Sequence, residues 1–206
     1  MLKDIITPQK SLFADGMQTV LRGHENRSRR VVLLKGNLVQ NSRSDSRGIS
    51  ARVTRNGRYG FSSTASYTEE DAKTVLRAAT ENAAFLDARA KSPGRSYPAL
   101  SEAGNLPLRP IVDFEQKRFI DLCHTVDDYV VAHCPKITSR TVVYTEDSQD
   151  KIIVTSDAAS GHVSYPRCYL YVMMTAESKE GMPVELFKAF GGGGSFEDHF
   201  SDPAAV

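Results

Sequence analysis

Near the N-terminus the spacing of apolar positions is helical. Leu12, Phe13, Met17, Val20 and Leu21 recur at intervals of one, three and four, which predicts a helix with Gly23 at its end. The period then falls to two. Val31 to Leu34 reads as a short strand, Lys35-Gly36-Asn37 as a turn, and Leu38 to Gln40 as the return. The polar stretch from Asn41 to Arg47 either extends that strand or loops out. Ile49, Ala51 and Val53 alternate with Ser50, Arg52 and Thr54, the pattern of a half-buried strand. Arg55-Asn56-Gly57-Arg58 follows. Asn-Gly between alternating segments predicts a type I′ hairpin, because both residues tolerate positive φ. Tyr59 and Phe61 then share one face of the returning strand. Three or four antiparallel strands are expected between residues 31 and 63.

Two helices come next. Thr68 caps the first and Glu69, Glu70 and Asp71 place negative charge at its positive end. Ala72, Val75, Leu76, Ala79, Ala83 and Leu86 form its apolar stripe, and it ends near Lys91. Residues 92–112, rich in Pro, Gly and Ser, are expected to loop. The second helix runs from about Phe114 to His133. It buries Phe119, Leu122, Cys123, Val126, Val130 and Val131 and stops before Pro135. The remainder reads as β: Ile137 to Thr145, a turn at Asp147 to Asp150, Lys151 to Thr155, and a turn at Asp157 to Gly161. Val163 to Thr175 follows with a bend at Pro166, then a turn at Glu180 to Pro183, and Val184 to Phe190 before four glycines. This order predicts an α+β fold: antiparallel sheets with two main packed helices and an N-terminal helix.

With 206 residues, 40% apolar and 25% charged, the chain can bury a proper core. A formal charge of +1 demands neither nucleic acid nor an anionic membrane. The basic run Arg27-Ser28-Arg29-Arg30 is short and reads as a solvated loop. Met1-Leu2-Lys3-Asp4 leads into no apolar signal region, and no stretch reaches the roughly 20 apolar residues of a membrane span, so a cytoplasmic location is expected. Cys123, Cys134 and Cys168 are odd in number and lack C-x-x-C spacing. They read as small core residues rather than disulfides, zinc ligands or nucleophiles.

Candidate chemistry is sparse. Asp127-Asp128 reads as a solvated helix face, since adjacent helical residues diverge. Ser195, Asp198 and His199 are triad residue types without triad spacing. Gly191 to Gly194 matches neither a phosphate loop nor a dinucleotide fingerprint and reads as a hinge. Tyr165, Tyr169 and Tyr171 lie along a strand face expected in a core or interface. Arg52 and Arg58 flank the hairpin and are expected to pair across it or to meet a substrate carboxylate.

The segment Gly48-Ile49-Ser50-Ala51-Arg52-Val53, followed by Asn56-Gly57-Arg58-Tyr59-Gly60-Phe61-Ser62-Ser63-Thr64 and the Ala-rich helix from Ala72 to Ala84, resembles the N-terminal domain of the TldD/PmbA family of zinc metallopeptidases. Gly36 and Leu38-Val39 match the family's preceding hairpin, and Gly191 to Glu197 its Gly-rich closing segment. The resemblance implies an α+β N-terminal domain over residues 1–190, and a Gly-rich hinge over 191–206 leading toward a C-terminal β-rich domain beyond this chain. That missing domain would hold zinc in a His-Glu-x-x-x-His helix. The motif does not occur here: His24-Glu25 is followed four positions after Glu25 by Arg29, His199 by Phe200, and His124 and His133 lie two and a half turns apart. The chain is thus read as a fragment or a natural single-domain relative. The implied role is non-catalytic, in dimerisation with a family member and in a peptide-binding cavity, with proteolysis belonging to the full-length protein. Arg52, Arg58, Tyr59 and Phe61 are the candidate peptide or interface contacts. The alternative is a standalone peptide- or protein-binding module, or an inactive partner subunit.

Overall fold

The computed structural model describes residues 2–92, 94–95, 98–99, 104–157 and 159–202. In chain order the elements are α1 (Leu2–Ile6), a 3-10 helix (Thr7–Leu12), β1 (Gln18–Leu34), β2 (Asn37–Arg55), β3 (Arg58–Thr64), α2 (Glu69–Ala88) and β4 (Gly104–Leu108). There follow α3 (Gln116–His133), β5 (Ile137–Thr155), β6 (Ser160–Tyr165), β7 (Arg167–Glu177), β8 (Pro183–Gly193) and α4 (Phe196–Phe200). The fold is α+β, as the sequence predicts. It divides into two compact units, the first comprising Met1–Asn26, Ser46–Leu108 and Gln149–Ser164, the second Arg27–Asp45, Arg109–Ser148 and Tyr165–Val206. The long strands β1, β2 and β5 each give one stretch to each unit.

In the first unit the strand order is β3-β2-β1-β5-β6-β4, with β4 parallel to β6. The Asn56-Gly57 hairpin forms as expected, with φ of 47° and 74°. Its tip is tied to the end of α2, because Asn56 Nδ2 donates to both Asp87 oxygens at 3.1 Å and Arg55 pairs with Asp87 at 3.0 Å. The cap of α2 is a reciprocal box: Thr68 Oγ1 accepts from Asp71 N, and Thr68 N donates to the Asp71 carboxylate. Ala72, Val75, Leu76, Ala79 and Ala83 then bury their stripe against Leu21, Ile49, Ala51, Val53, Ile152 and Val154. Leu86, counted in the stripe from sequence, stays 47% exposed.

The predicted helix over Leu12 to Leu21 is not formed. Helical backbone precedes it, in α1 and the 3-10 helix, a turn occupies Asp15-Gly16, and β1 begins at Gln18. The helical spacing is accidental: Leu12 is exposed, while Leu21 points inward after Thr19 in the alternating positions of β1. Gly23 does not end a helix but admits one. A Cβ there would lie 2.7 Å from Leu2 Cδ1 and 2.9 Å from Ile6 Cγ1, so its missing side chain lets α1 lie against β1.

In the second unit the strand order is β2-β1-β5-β7-β8, with β7 antiparallel to both neighbours. α3 covers one face. Phe119, Leu122, Cys123, Val126 and Val130 pack on Val31, Leu33, Val142, Tyr144, Cys168, Leu170 and Val172, and Phe196 and Phe200 of α4 close the end. Phe119 stacks on Tyr144 with centroids 4.6 Å apart. Val131, expected inside, is 51% exposed. Pro166 interrupts the expected long strand, giving β6 and β7.

Three further expectations are corrected here. The basic run Arg27 to Arg30 is no loop but the middle of β1. Arg29 is buried, donates to Phe114 O at 2.6 Å, pairs with Asp113 and stands 5.5 Å over the Phe119 ring. The turn at Asp147 to Asp150 is absent because β5 runs straight through it. The polar residues are satisfied across strands, Asp147 by Arg167 and Asp150 by His162 at 2.7 Å. Asp127 is not on a solvated face. It is 2% exposed and holds Arg140 of β5 through bonds of 2.7 and 2.9 Å, whereas Asp128 is exposed.

Buried Glu146 gives a pH signature. Burial pushes its carboxyl above the ordinary value of 4.5, against the opposing pull of Arg29 and the hydroxyls of Tyr144 and Ser148. The folded state therefore binds this proton more tightly than the unfolded chain does. Its contribution to stability falls as pH rises from about 4.5 through the raised folded value. Glu146→Gln is expected to gain on the order of 1 kcal/mol over wild type at neutral pH, and the difference is expected to shrink at acid pH. Denaturant midpoints of both proteins across that range check this. A constant difference with pH would refute it.

No helix among the described residues is long and apolar enough to cross a membrane.

Candidate functional site

In the first unit the helices cover only one face of the sheet. Inward positions Leu21, Ile49, Ala51, Val53, Ile152 and Val154 belong to the core, so their strand neighbours Val20, Arg22, Ser50, Arg52, Lys151 and Ile153 point the other way. On β3, Gly60 faces α2 and leaves Tyr59 and Phe61 outward, 56% and 53% exposed. Val20, Arg22, Ser50, Arg52, Tyr59 and Phe61 line one depression of about 360 Å³. Arg22 also borders a second of about 450 Å³, with His24, Lys151, Ile153, His162 and Val163. Among the described residues no Asp or Glu lines either one.

The structure thus brings together three of the four residues singled out from sequence. Arg52 stands opposite Phe61 and Thr54 opposite Tyr59. Arg58 is elsewhere: it faces Arg55 across the hairpin, not Arg52, and its Nη2 donates to Ser92 O at 2.9 Å. The expected Arg52–Arg58 pair is therefore absent, for the reason that a two-residue turn places Arg55 and Arg58 at its base. Arg22 and Lys151 were missed. Arg22 lies inside the predicted helix, and Lys151 reads only as the start of a strand. Once β1 is drawn as a strand, alternation from Leu21 puts Arg22 on the same face as Arg52.

In the second unit β8 is an edge strand, bonded to β7 alone among the described residues. Val184, Leu186 and Phe187 on it are 54%, 49% and 59% exposed. Tyr169, Tyr171 and Phe187 stack in series at 5.9 and 5.7 Å, while Tyr165, expected on the same strand face, ends β6 instead. The strand's end is less open: Arg109 donates to Gly193 O and His199 contacts it at 3.2 Å. The edge of β3 differs, because Asn82 Nδ2 of α2 donates to Phe61 O. Three glycines read as a hinge, Gly191 to Gly193, are the last residues of β8.

The remaining chemical groups serve structure. Ser195 and Asp198 form the capping box of α4: Asp198 Oδ2 accepts from Ser195 N at 2.7 Å and Oγ at 3.0 Å, and these bonds hold its carboxyl below the usual range. The serine hydroxyl is thus turned to the carboxylate, not to an imidazole. Burial pushes the thiols of Cys123 and Cys168 up to about 12, far from the thiolate a nucleophile or metal ligand requires. Among the described residues, no three His, Cys, Asp or Glu side chains converge to hold a metal ion.

The sequence matches the profile of PmbA/TldA metallopeptidase domain 1 over residues 20–83 and that of the PmbA/TldA metallopeptidase central domain over residues 109–205. No curated protein matches it. Solved structures that share its fold include three proteins. One is a proposed DNA gyrase modulator from Thermotoga maritima, 16% identical with a TM-score of 0.66, and another is a proposed DNA gyrase modulator from Bacteroides thetaiotaomicron, 15% identical with a TM-score of 0.63. The third is TldE from Thermococcus kodakarensis, 12% identical with a TM-score of 0.63. The matches cover 92% of this chain but only 42%, 44% and 42% of theirs, so the chain spans under half the length of these proteins.

Proposed function

Because this chain belongs to the PmbA/TldD metallopeptidase family, we propose that it is the peptide-receiving, non-catalytic part of a longer zinc peptidase. The observation that carries the reading is the match to two successive domains of a metallopeptidase family in a chain spanning less than half of its solved relatives. Among the described residues no group of three His, Cys, Asp or Glu fits a zinc ion. Zinc and the water it activates belong to the part of the protein beyond this chain.

The contribution of this chain is recognition. β8 offers an edge whose outward backbone can take an extended peptide by strand addition, which is tolerant of sequence because main-chain bonds give the affinity. β3 is less suited, since Asn82 already bonds Phe61 O. The same exposed apolar edge suits pairing with a family member in a dimer.

The test compares the 206-residue chain with the complete gene product. Stoichiometric zinc and casein cleavage are expected in the complete protein alone. A complete protein that neither holds zinc nor cuts would overturn the reading in favour of a binding module or an inactive partner subunit.

A further inference from the structure

We propose that the helix-free face of the first unit reads carboxylates: it binds acidic, extended segments of polypeptide through Arg22, Arg52 and Lys151. The inference rests on the peptide-receiving role above and adds to it a surface other than the β8 edge.

The three cations stand on three consecutive strands, Arg52 on β2, Arg22 on β1 and Lys151 on β5. Arg22 and Arg52 border one depression, and Arg22 and Lys151 the other, so the row is continuous. Strands lie about 4.8 Å apart, which spreads the row over roughly 10 Å. Several other surface cations of this unit have partners: Arg55 has Asp87, Lys73 has Glu69, Arg58 has the Ser92 carbonyl and Arg47 has the Tyr67 ring. None of the cations of the row is in an ion pair or hydrogen bond among the described residues, and neither depression has a carboxylate in its lining. Three cations whose counter-charge the surface does not supply call for an anionic partner.

The shape selects among anions. The depressions are open to solvent and lie along neighbouring strands, and Tyr59 and Phe61 border the one that holds Arg52. An extended chain presents alternate side chains on one side about 7 Å apart, so carboxylates at positions i and i+2 span two cations of the row while intervening apolar groups meet the aromatic rings. Arginine forks favour planar carboxylates in this setting. A nucleic acid would bring a phosphate with every nucleotide, and a row of three cations is short for that.

Labelled unstructured peptides of about ten residues, one with Glu at alternate positions and one with Gln in their place, are titrated into the 206-residue chain by fluorescence anisotropy at low salt. The Glu peptide is expected to bind about 30-fold more tightly, since each exposed pair is worth about threefold to fivefold. R22Q/R52Q/K151Q is expected to abolish the preference without moving the unfolding midpoint, and R22K/R52K to keep most of it. Equal binding of the two peptides overturns the inference, as does a preference that survives the triple Gln variant. Tighter binding of a single-stranded oligonucleotide than of the Glu peptide overturns it as well. Failure here with zinc-dependent cleavage intact in the complete protein sinks this inference and spares the peptidase reading. Preference for the Glu peptide with no cleavage does the reverse.

Discussion

Gly60→Val is expected to be among the most damaging single substitutions in the first unit. A Cβ at this position of β3 would sit 2.1 Å from Ala79 O, 2.4 Å from Ala83 N and 2.8 Å from Asn82 Cβ. The first two are backbone atoms of α2, which cannot swing aside as a side chain tip can. The whole helix would have to lift, opening the core where Ala72, Val75, Leu76, Ala79 and Ala83 meet Ile49, Ala51 and Val53. Overpacking against a helix backbone, which cannot yield as a side chain does, costs about 3 kcal/mol, the upper end for such changes, and lowers Tm by roughly 6–12 °C in a protein of this size. Gly60→Ala is expected to cause a smaller loss of the same kind. Gly192→Ala is the control: its Cβ would meet only the His199 ring, at 3.6 Å and beyond, so a change under about 0.5 kcal/mol is expected. Thermal melts of the three variants settle the matter. If Gly60→Ala melts like Gly192→Ala, the close approach of α2 to β3 is wrong.

What the sequence showed of this fold depends on how locally each feature is encoded. The α2 cap, the Asn56-Gly57 hairpin and the core stripe on α3 are written in neighbouring residues, and all form. The long strands were cut short because their middles are polar. In β1 the run from His24 to Arg30 shows no alternation, since Arg29 goes inward by pairing with Asp113 and covering Phe119. In β5 the run from Glu146 to Asp150 looked like a turn, since Arg167 and His162 satisfy it from other strands. Both are partners distant in sequence, which no local pattern reveals. The candidate face suffered from the same error. Tyr59, Phe61 and Arg52 were legible from the hairpin alone, but Arg22 and Lys151 join them only after β1 and β5 are placed on either side of each other. The division into two units was not legible, because the strands that pass from one to the other carry no break in the chain.

Removing one partner of the Asp127–Arg140 pair is expected to cost far more than removing both. Asp127 on α3 is 2% exposed and accepts two bonds from the Arg140 guanidinium on β5, at 2.7 and 2.9 Å. The tip of the β1–β2 hairpin lies over them, as a Cβ at Gly36 would be 3.2 Å from Asp127 Oδ2. Lys35 N also donates to Arg140 O at 2.9 Å, so helix, hairpin and strand meet at this pair. Asp127→Leu leaves the guanidinium without its carboxylate in a site where water reaches it only in part. A loss of about 3 kcal/mol is expected, at the low end for a broken buried pair because the Arg140 side chain keeps 22% exposure. Arg140→Met is expected to be at least as costly, since it strands the more deeply buried charge. The double replacement Asp127→Leu with Arg140→Met removes both charges and restores apolar contact between α3 and β5. It is expected to fall within about 1 kcal/mol of the native protein, because two desolvation costs disappear along with their mutual attraction. Denaturant unfolding of the two single variants and the double variant gives the coupling directly. Additive losses would mean the pair contributes as two separate surface charges, contrary to the burial of Asp127 under the hairpin.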